Sequence, residues 1–257
     1  METMRFASLG SGSRGNSLVV DAGDTKLLVD CGFSLRALCS RLARLSIASE
    51  EITGILVTHE HSDHAAGAYR LASRFNIPVY LTHGTHAAAS ENSDSFPIGD
   101  VIDSHTEFCI DGLRITPFPV PHDAREPVQF VISNGSRQLG VLTDCGTITP
   151  HIISMLSDCH ALVLECNHDP LLLANSNYPA MLKRRISGDW GHLSNTQSSA
   201  LLREIDTRSL RHIVAAHLSE QNNRPNFAAK ALAEALNCEE EWIGVASQDK
   251  GIGWRDL

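Results

Sequence analysis

The sequence predicts an α/β fold in which two layers of strands are flanked by helices, formed by a single domain over residues 1–257. Short apolar runs typical of strands alternate with helical segments along the whole chain. The sequence has no Pro/Ser-rich linker and no internal repeat that would divide this alternation. Hydrophobic residues make up 42% of the 257 residues, which is enough for a substantial core. Strands and helices that share one core pack most simply as layers.

Runs of β-branched and apolar residues predict the strands, and longer periodic segments between them predict the helices. A Gly/Ser loop at residues 10–17 follows the first strand, and a turn at residues 21–24 joins the next two strands as a hairpin. The predicted strands cover residues 6–9, 18–20, 26–30, 54–58, 78–82, 110–116, 128–132, 138–142, 161–165 and 212–216. The predicted helices cover residues 35–45, 65–72, 196–205 and 227–236.

Composition narrows the class of protein. No run approaches the roughly 18 uninterrupted apolar residues of a membrane span, and the N-terminus lacks the apolar core of a signal peptide. The seven cysteines contain no Cys-x-x-Cys pair, so we expect free thiols in a reducing cytoplasm. Cys109 and Cys166 stand in apolar strands and are expected to be buried. The net charge of -9 argues mildly against bulk affinity for nucleic acid, although bound cations would dominate the local field.

The strongest chemical signal is the segment from Thr58 to His64, which has the form H-x-H-x-D-H. Its potential metal ligands are His59, His61, Asp63 and His64, and neutral imidazole with ionised carboxylate suits Zn²⁺ and its neighbours. The segment follows a predicted strand and precedes a predicted helix, so it lies where α/β proteins place their chemistry. Asp63 also stands where a helix N-cap is expected, and the two roles are compatible.

Three later strands also end in His or Asp, at His122, Asp144 and His217. A single His after a strand is more often an ordinary loop residue than a ligand. Three such endings, together with the H-x-H-x-D-H segment, favour a metal centre. A cluster of this kind can hold two ions a few ångströms apart, which suits hydrolysis of phosphate esters.

In the order of these motifs the sequence resembles the metallo-β-lactamase superfamily, from about residue 5 to residue 254. The resemblance implies an αββα sandwich of two mixed β-sheets flanked by helices, and two divalent ions, Zn²⁺ or Mn²⁺, with Fe also compatible. It implies that Asp30, at the end of a predicted strand, is the superfamily's early structural aspartate. The implied ligands are His59, His61 and His122 for one ion and Asp63, His64 and His217 for the other, with Asp144 bridging.

The loop Gly191-His192-Leu193-Ser194 is similar to the His-containing loop of transfer-RNA 3′-processing enzymes and phosphodiesterases in this superfamily. The likeness implies that His192 protonates the leaving oxygen and that Glu165 orients His192. Asp63 would both bind metal and orient a metal-bridged hydroxide. The alternative for His192 is an ordinary loop residue before a helix, and for Glu165 a structural and a catalytic role are equally open.

Residues 8–17, 165–169, 183–186 and 217–225 look like the YycJ/WalJ group of bacterial proteins, which are described as 5′-to-3′ DNA exonucleases. The resemblance implies a cytoplasmic metal-dependent phosphodiester hydrolase with DNA as its substrate and no membrane partner. The alternative is a small-molecule phosphodiesterase acting on cyclic nucleotides or ribose phosphates. Thiolesterases and lactamases of the superfamily need no acid such as His192, and a scaffold that keeps only the fold would be expected to lose ligands.

Neutral donors and Gly-rich backbone around the expected centre suit an anionic phosphate. The candidate substrate-binding residues are Ser11, Ser13, Asn16, His168, Ser219 and Asn223. Lys183, Arg184 and Arg185 either follow a nucleic-acid backbone or form a solvated helix face. Aromatic residues make up only 5% of the chain, and they predict no obvious stacking platform for single strands.

Overall fold

The computed structural model describes residues 3–90 and 100–257, which form two seven-stranded sheets. The first sheet has, in spatial order, β14 (Ile252–Asp256), β1 (Arg5–Gly10), β2 (Ser17–Ala22), β3 (Thr25–Val29), β4 (Gly54–Leu56), β5 (Val79–Thr82) and β6 (Asp100–Ile102). The second has β13 (Gly244–Val245), β12 (His212–Ala216), β11 (Ala161–Glu165), β10 (Gln138–Leu142), β9 (Val128–Ser133), β8 (Leu113–Pro119) and β7 (Phe108–Ile110).

Helices pack on the outer face of each sheet. Against the first sheet lie α1 (Leu35–Arg44) and α3 (Ala68–Phe75), and against the second lie α5 (Pro150–Leu156), α8 (Asn195–Glu204) and α9 (Pro225–Leu236). The shorter helices are α2 (Ser62–Ala65), α4 (His83–Ser90), α6 (Pro170–Asn175) and α7 (Ala180–Ile186). No helix in the described ranges combines the length and the apolar character needed to cross a bilayer.

The alternation of side chains along each strand produces the layers. In β2, Val20 packs between the two sheets while its neighbour Val19 packs beneath the helices of the first sheet. In β11, Val163 packs between the sheets while Leu162 packs beneath the helices of the second sheet. Because both faces of these strands are covered, their sequences are continuous apolar runs and do not alternate between apolar and polar residues. The predicted αββα sandwich of two mixed sheets is confirmed.

Parallel strands bring the functional segments to one edge of the sandwich. In the first sheet β3, β4, β5 and β6 run parallel, and in the second β10, β11, β12 and β13 run parallel. Their carboxyl ends carry Asp30 after β3, the H-x-H-x-D-H segment after β4, Asp144 after β10 and His217 after β12. The His and Asp residues that the sequence places after predicted strands therefore lie along one edge of the fold.

Some elements differ from the sequence prediction. The helix expected over residues 65–72 is divided into α2 and α3 at Gly67, where a Cβ would lie 2.0 Å from the carbonyl oxygen of Phe33. The strands β6, β13 and β14 and the helices α4 to α7 were not predicted, because they are short or lack a clear apolar period. Cys166 is buried as expected, but the prediction for Cys109 was wrong. It is exposed because β7 is an edge strand whose alternate side chains face outward.

Candidate metal centre

A first cluster of imidazoles forms beyond the ends of β4 and β8. The candidate ligand atoms of His59, His61 and His122 all lie within 4.8 Å of one another. His59 and His122 are buried, whereas His61 is partly exposed at the wall of a cavity. Three converging imidazoles are a ligand set that suits Zn²⁺ and similar ions.

A second cluster shares the same cavity. Asp63 Oδ2 lies 3.5 Å from His64 Nε2 and 3.4 Å from His217 Nε2. Asp63 and His64 belong to the first turn after the strand end, and His217 follows β12 on the opposite sheet. His217 has a φ of 55°, a left-handed conformation that non-glycine residues adopt at a cost of about 1–3 kcal/mol. The fold therefore holds the backbone of His217 in a conformation that the unfolded chain disfavours.

Asp144 lies between the two clusters. Its Oδ2 is 2.9 Å from His64 Nε2 and 3.5 Å from His217 Nε2, while its Oδ1 is 3.8 Å from His122 Nε2. Asp144 is buried and also has a left-handed backbone, with a φ of 53°. One carboxylate thus faces histidines of both clusters, which is the position expected for a bridging group.

Asp30 orients two of these histidines from beneath. It accepts hydrogen bonds from the Thr58 backbone N–H at 2.9 Å, from Thr58 Oγ1 at 3.0 Å and from His64 Nδ1 at 2.7 Å. Thr58 Oγ1 in turn lies 2.9 Å from His59 Nδ1. With both Nδ1 atoms engaged, the Nε2 atoms of His59 and His64 are the ones left for the cluster. A carboxylate behind an imidazole is the usual support for a metal ligand.

Two further observations test whether these residues fit a metal ion. His59 Nε2 is buried and has no hydrogen-bond partner among the described residues, which is costly unless another group binds it. Burial lowers the pKa of His59 well below its usual range, so the ring is neutral and Nε2 offers a lone pair. His122 Nδ1 donates to the carbonyl oxygen of Gly191 at 3.0 Å, so its Nε2 is the nitrogen that faces the first cluster, 3.3 Å from His61 Nδ1. The donor set fits a divalent cation.

Glu165, the last residue of β11, pairs with His192. Its Oε1 lies 2.8 Å from His192 Nδ1, and its Oε2 accepts hydrogen bonds from the backbone N–H of Cys145 at 2.9 Å and of Leu193 at 3.1 Å. Burial raises the pKa of Glu165, but His192 and His217 outweigh burial and bring it to about 2. Burial lowers the pKa of His192, but the negative charge of Glu165 outweighs it and the net shift is upward. Glu165 is therefore ionised and favours an imidazolium at His192.

The loop that carries His192 is closely packed. The His192 backbone N–H donates to the carbonyl oxygen of Ile186 at 2.8 Å. A Cβ on Gly191 would lie 2.2 Å from the carbonyl oxygen of Arg185, so only glycine fits at that point. The imidazole is thus positioned by a fixed backbone as well as by Glu165.

A cavity of about 310 Å³ opens onto both clusters and His192. Of the predicted substrate-binding residues, Ser13 and Ser219 line this cavity. Asn167 and Tyr178 also line it and were not among the predicted site residues. Arg185 lines it too, and the sequence had left it open between a nucleic-acid contact and a solvated helix face. Asn167 could have been found from its position just after β11, whereas nothing in the sequence marks Tyr178.

The structure places three other predicted substrate-binding residues in the framework beneath the cavity. Ser11 Oγ donates to Asn16 Oδ1 at 3.1 Å and accepts the His217 backbone N–H at 2.8 Å. Asn16 Nδ2 lies 3.1 Å from His64 Nε2, and Asn223 Nδ2 donates to the Cys166 carbonyl oxygen at 2.7 Å. Their polar atoms hydrogen-bond to protein partners, and Ser11 and Asn16 in this way contact the candidate ligands His217 and His64. A substrate-binding role for the three residues stays a prediction.

His168 is also buried, and it is not part of the cavity wall. Burial lowers its pKa to about 4, so its ring is neutral. It lies in a bridge with Ser194 at the start of α8, and its carbonyl oxygen accepts the backbone N–H of Asn195 at 2.9 Å. These contacts tie His168 to the segment that follows the His192 loop, and its substrate-binding role stays a prediction.

Comparison with known proteins places the fold and its site in a family. A family model of the beta-lactamase superfamily domain matches residues 25–217. The chain is 34% identical over 250 residues to exodeoxyribonuclease YycJ of Bacillus anthracis, with 94% of this chain and 92% of that protein covered. It is 32% identical over 249 residues to exodeoxyribonuclease WalJ of Streptococcus pneumoniae, with 94% and 91% covered.

A solved structure gives an independent measure of the fold. The metallo-beta-lactamase fold protein YhfI of Bacillus subtilis superposes with a TM-score of 0.78 at 16% identity, with 100% of both chains covered. At that identity the likeness concerns the fold alone. The fold and the His/Asp clusters together support the binding of divalent metal. From the family match and the identity to YycJ and WalJ over nearly its whole length, the chain belongs to the metallo-β-lactamase superfamily, in the group that contains YycJ and WalJ.

Proposed function

We propose that this protein is a metal-dependent exonuclease that hydrolyses DNA phosphodiesters from a 5′ end. The observation that carries the proposal is the pair of His192 and Glu165 at 2.8 Å, beside two clusters of metal-ligand side chains. A positioned acid serves a reaction in which an alkoxide oxygen leaves, as it does from a phosphodiester. The exodeoxyribonuclease names of YycJ and WalJ support DNA as the polymer.

The same clusters support a centre of two divalent ions, Zn²⁺ or Mn²⁺, with Fe compatible with the donors. His59, His61 and His122 would hold one ion, and Asp63, His64 and His217 the other, with Asp144 shared. Ions bound there would supply a water of lowered pKa and would neutralise charge on the phosphoryl oxygens.

The side chains of the chain itself supply orientation and the proton. Glu165 accepts a hydrogen bond from Nδ1–H of His192. This contact fixes the orientation of the ring and leaves the protonated Nε2 free to donate. His192 lines the cavity, so Nε2 can donate to the leaving oxygen of a bound phosphodiester. Asp63 also lines the cavity, and its carboxylate is placed to accept a hydrogen bond from the attacking water.

A direct test uses metal-loaded protein with 5′-phosphorylated DNA labelled at either end. We expect nucleotides labelled at the 5′ end to be released early, while label at the 3′ end stays in long products until late. Early release of the 3′ label would contradict the polarity. Intact DNA, under conditions in which the protein turns over bis(p-nitrophenyl) phosphate rapidly, would overturn the exonuclease proposal.

The second candidate is a small-molecule phosphodiesterase. Its support is the volume of the cavity, about 310 Å³, which lies at the low end of the roughly 300–1,000 Å³ of ligand pockets. A cavity of that size suits one nucleotide. Faster turnover of 2′,3′-cyclic nucleotides than of DNA, measured as kcat/KM, would favour this candidate.

A further inference from the structure

Residues 170–190 form one side of the active-site cavity and are named here the α6–α7 wall. Tyr178 and Arg185 of this wall line the cavity. The helix α7 contributes no buried residue. Three large apolar side chains of the wall are exposed, with exposed fractions of 72% for Leu171, 77% for Met181 and 63% for Trp190. Three large exposed apolar side chains within 20 residues, on a segment that also lines the cavity, point to a binding role for this segment.

The charge of the α6–α7 wall differs from that of the rest of the chain. The wall contains three basic residues and one acidic residue, Asp189, whereas the whole chain has a net charge of -9. Lys183 Nζ donates to the Ala174 carbonyl oxygen, and Arg185 pairs with Asp123 at 2.6 Å. Arg184 is exposed, and its guanidinium has no hydrogen-bond or ion-pair partner within residues 3–90 and 100–257. The guanidinium of Arg184 can therefore bind a phosphate group.

Trp190 is held against the candidate metal centre by its backbone. Its carbonyl oxygen accepts the backbone N–H of Asp123 at 3.0 Å. The next carbonyl oxygen, that of Gly191, accepts the Nδ1 proton of His122 at 3.0 Å. The indole makes no ring or cation contact with the described part of the chain, and the residue is largely exposed.

We propose that Trp190 stacks on a base of single-stranded DNA that enters the cavity along the α6–α7 wall, while Arg184 binds a backbone phosphate of the same strand. The inference rests on the proposed nuclease function. A single strand is specified because only an unpaired and unstacked base offers its face to an indole. A cationic surface that follows the backbone beside an aromatic ring is the usual arrangement for such strands.

The test compares Trp190→Ala with Trp242→Ala, an exposed tryptophan outside the wall. On a 5′-phosphorylated single strand we expect Trp190→Ala to raise KM about tenfold, since stacking on one base commonly contributes that much. Trp190→Phe should recover most of the loss, and Trp242→Ala should match the natural chain. Hydrolysis of bis(p-nitrophenyl) phosphate should be unchanged in all three variants. On a strand with abasic sites at its 5′ end, Trp190→Ala and the natural chain should have the same KM, because no base is present to stack on the indole.

A binding readout separates this inference from the nuclease proposal. We expect the strand to quench tryptophan emission in the natural chain, and we expect Trp190→Ala to lose that quenching. If DNA is degraded but Trp190→Ala and Trp242→Ala have equal KM, stacking is overturned and the nuclease proposal stands. If DNA stays intact while quenching depends on Trp190, the nuclease proposal fails and strand binding stands. If the natural chain is a dimer in solution, and Trp190→Ala is a monomer with unchanged KM and quenching, the exposed surface around Trp190 binds a second copy of the chain. That result would overturn the inference.

The phosphate contact has its own measurement. Arg184→Ala should reduce the slope of log binding constant against log salt by about one. Lys230→Ala, which removes an exposed lysine of α9 that faces Glu234, is the control for net charge. Equal slopes for the two variants would contradict the role of Arg184.

Discussion

Glu165 Oε1 lies 2.8 Å from Nδ1 of His192 and 3.3 Å from Nδ1 of His217, so one buried carboxylate faces both the candidate acid and a candidate metal ligand. The two rings stack at 5.3 Å between centroids. Asp144 Oδ1 also lies 3.4 Å from His192 Nδ1. The candidate acid and the candidate metal centre are therefore coupled through shared carboxylates.

The first prediction concerns Glu165→Gln, which keeps the size of the side chain and removes its charge. Glu165 raises the pKa of His192, so its loss lowers that pKa and reduces the fraction of imidazolium at neutral pH. We expect kcat on DNA to fall about 100-fold and the alkaline limb of the pH profile to move to lower pH. The measurement is kcat against pH for both proteins.

Metal content gives the control for this variant. Because Glu165 also lies behind the candidate ligand His217, Glu165→Gln should weaken metal binding, so kcat is compared at saturating metal, where the metal content matches that of the natural chain. An unchanged alkaline limb would show that Glu165 does not set the protonation of the acid.

The second prediction uses leaving groups to identify the acid. His192→Ala should lower kcat about 10²–10⁴-fold on DNA, whose leaving alkoxide needs a proton. It should have little effect on bis(p-nitrophenyl) phosphate, whose leaving phenolate is stable without one. Equal losses on both substrates, with metal retained, would instead assign His192 to binding or structure. Loss of metal would contradict its assignment as an acid.

The third prediction concerns the support of the ligands. Asp30→Asn removes the carboxylate that holds His64 Nδ1 at 2.7 Å and Thr58 Oγ1 at 3.0 Å. We expect metal affinity to fall about 10–100-fold, as measured by competition with a chelating dye. Asp21→Asn is a matched control, since Asp21 is another buried carboxylate, paired with Arg5. Equal affinities in the two variants would contradict the orienting role of Asp30.

The sequence located the candidate ligand residues more completely than the other residues that line the cavity. His122, Asp144 and His217 follow apolar strands, so local pattern alone placed them at strand ends. Their convergence needs the two sheets to face each other, and the family resemblance supplied that arrangement. The proposed roles of these side chains remain predictions, although the structure brings them together.

Residues of the loops were harder to place from sequence. Ser11 and Asn16 have the donors that suit a phosphate, but in the fold the Ser11 hydroxyl donates to Asn16 Oδ1 and the Asn16 amide nitrogen faces His64 Nε2. Tertiary contacts decide which polar groups of a loop hydrogen-bond within the protein. A local sequence pattern does not contain that information. Trp190 could not be recognised for the same reason, since its position near His122 depends on contacts between distant parts of the sequence, from Asp123 to Trp190 and from His122 to Gly191.

The fourth prediction concerns the close approach of two backbones. A Cβ on Gly32 would lie 1.7 Å from the carbonyl oxygen of Asp63. Gly32→Ala should therefore displace Asp63, lower metal affinity, and destabilise the fold by about 1–3 kcal/mol or more. Chemical denaturation and metal titration measure the two effects. Gly253→Ala is the matched control because a Cβ there meets nothing within 4 Å. Equal stability of the two variants would contradict the packing described at Gly32.

The fifth prediction follows from the protons that metal must displace. Burial lowers the pKa of His217, but Asp144 and Asp63 outweigh it and raise the value to about 10. His64 is raised in the same way by Asp144 and Asp30. Both shifts favour protonated rings near neutrality when no metal is bound, so metal binding should release protons. Apparent metal affinity should rise with pH by about tenfold per unit for each proton released and fall as the solution is acidified.

Calorimetry of metal binding in buffers of different ionisation enthalpy counts the released protons. Asp144→Asn removes the carboxylate shared by His64 and His217, so it should lower the pKa of both rings and reduce the number of protons released. It should also weaken binding, since Asp144 lies between the two clusters. The two effects are distinct measurements, because proton release is read from the buffer dependence and affinity from the titration midpoint. Binding by the natural chain that is independent of pH between 6 and 8, with no proton released, would show that these imidazoles do not receive the ions.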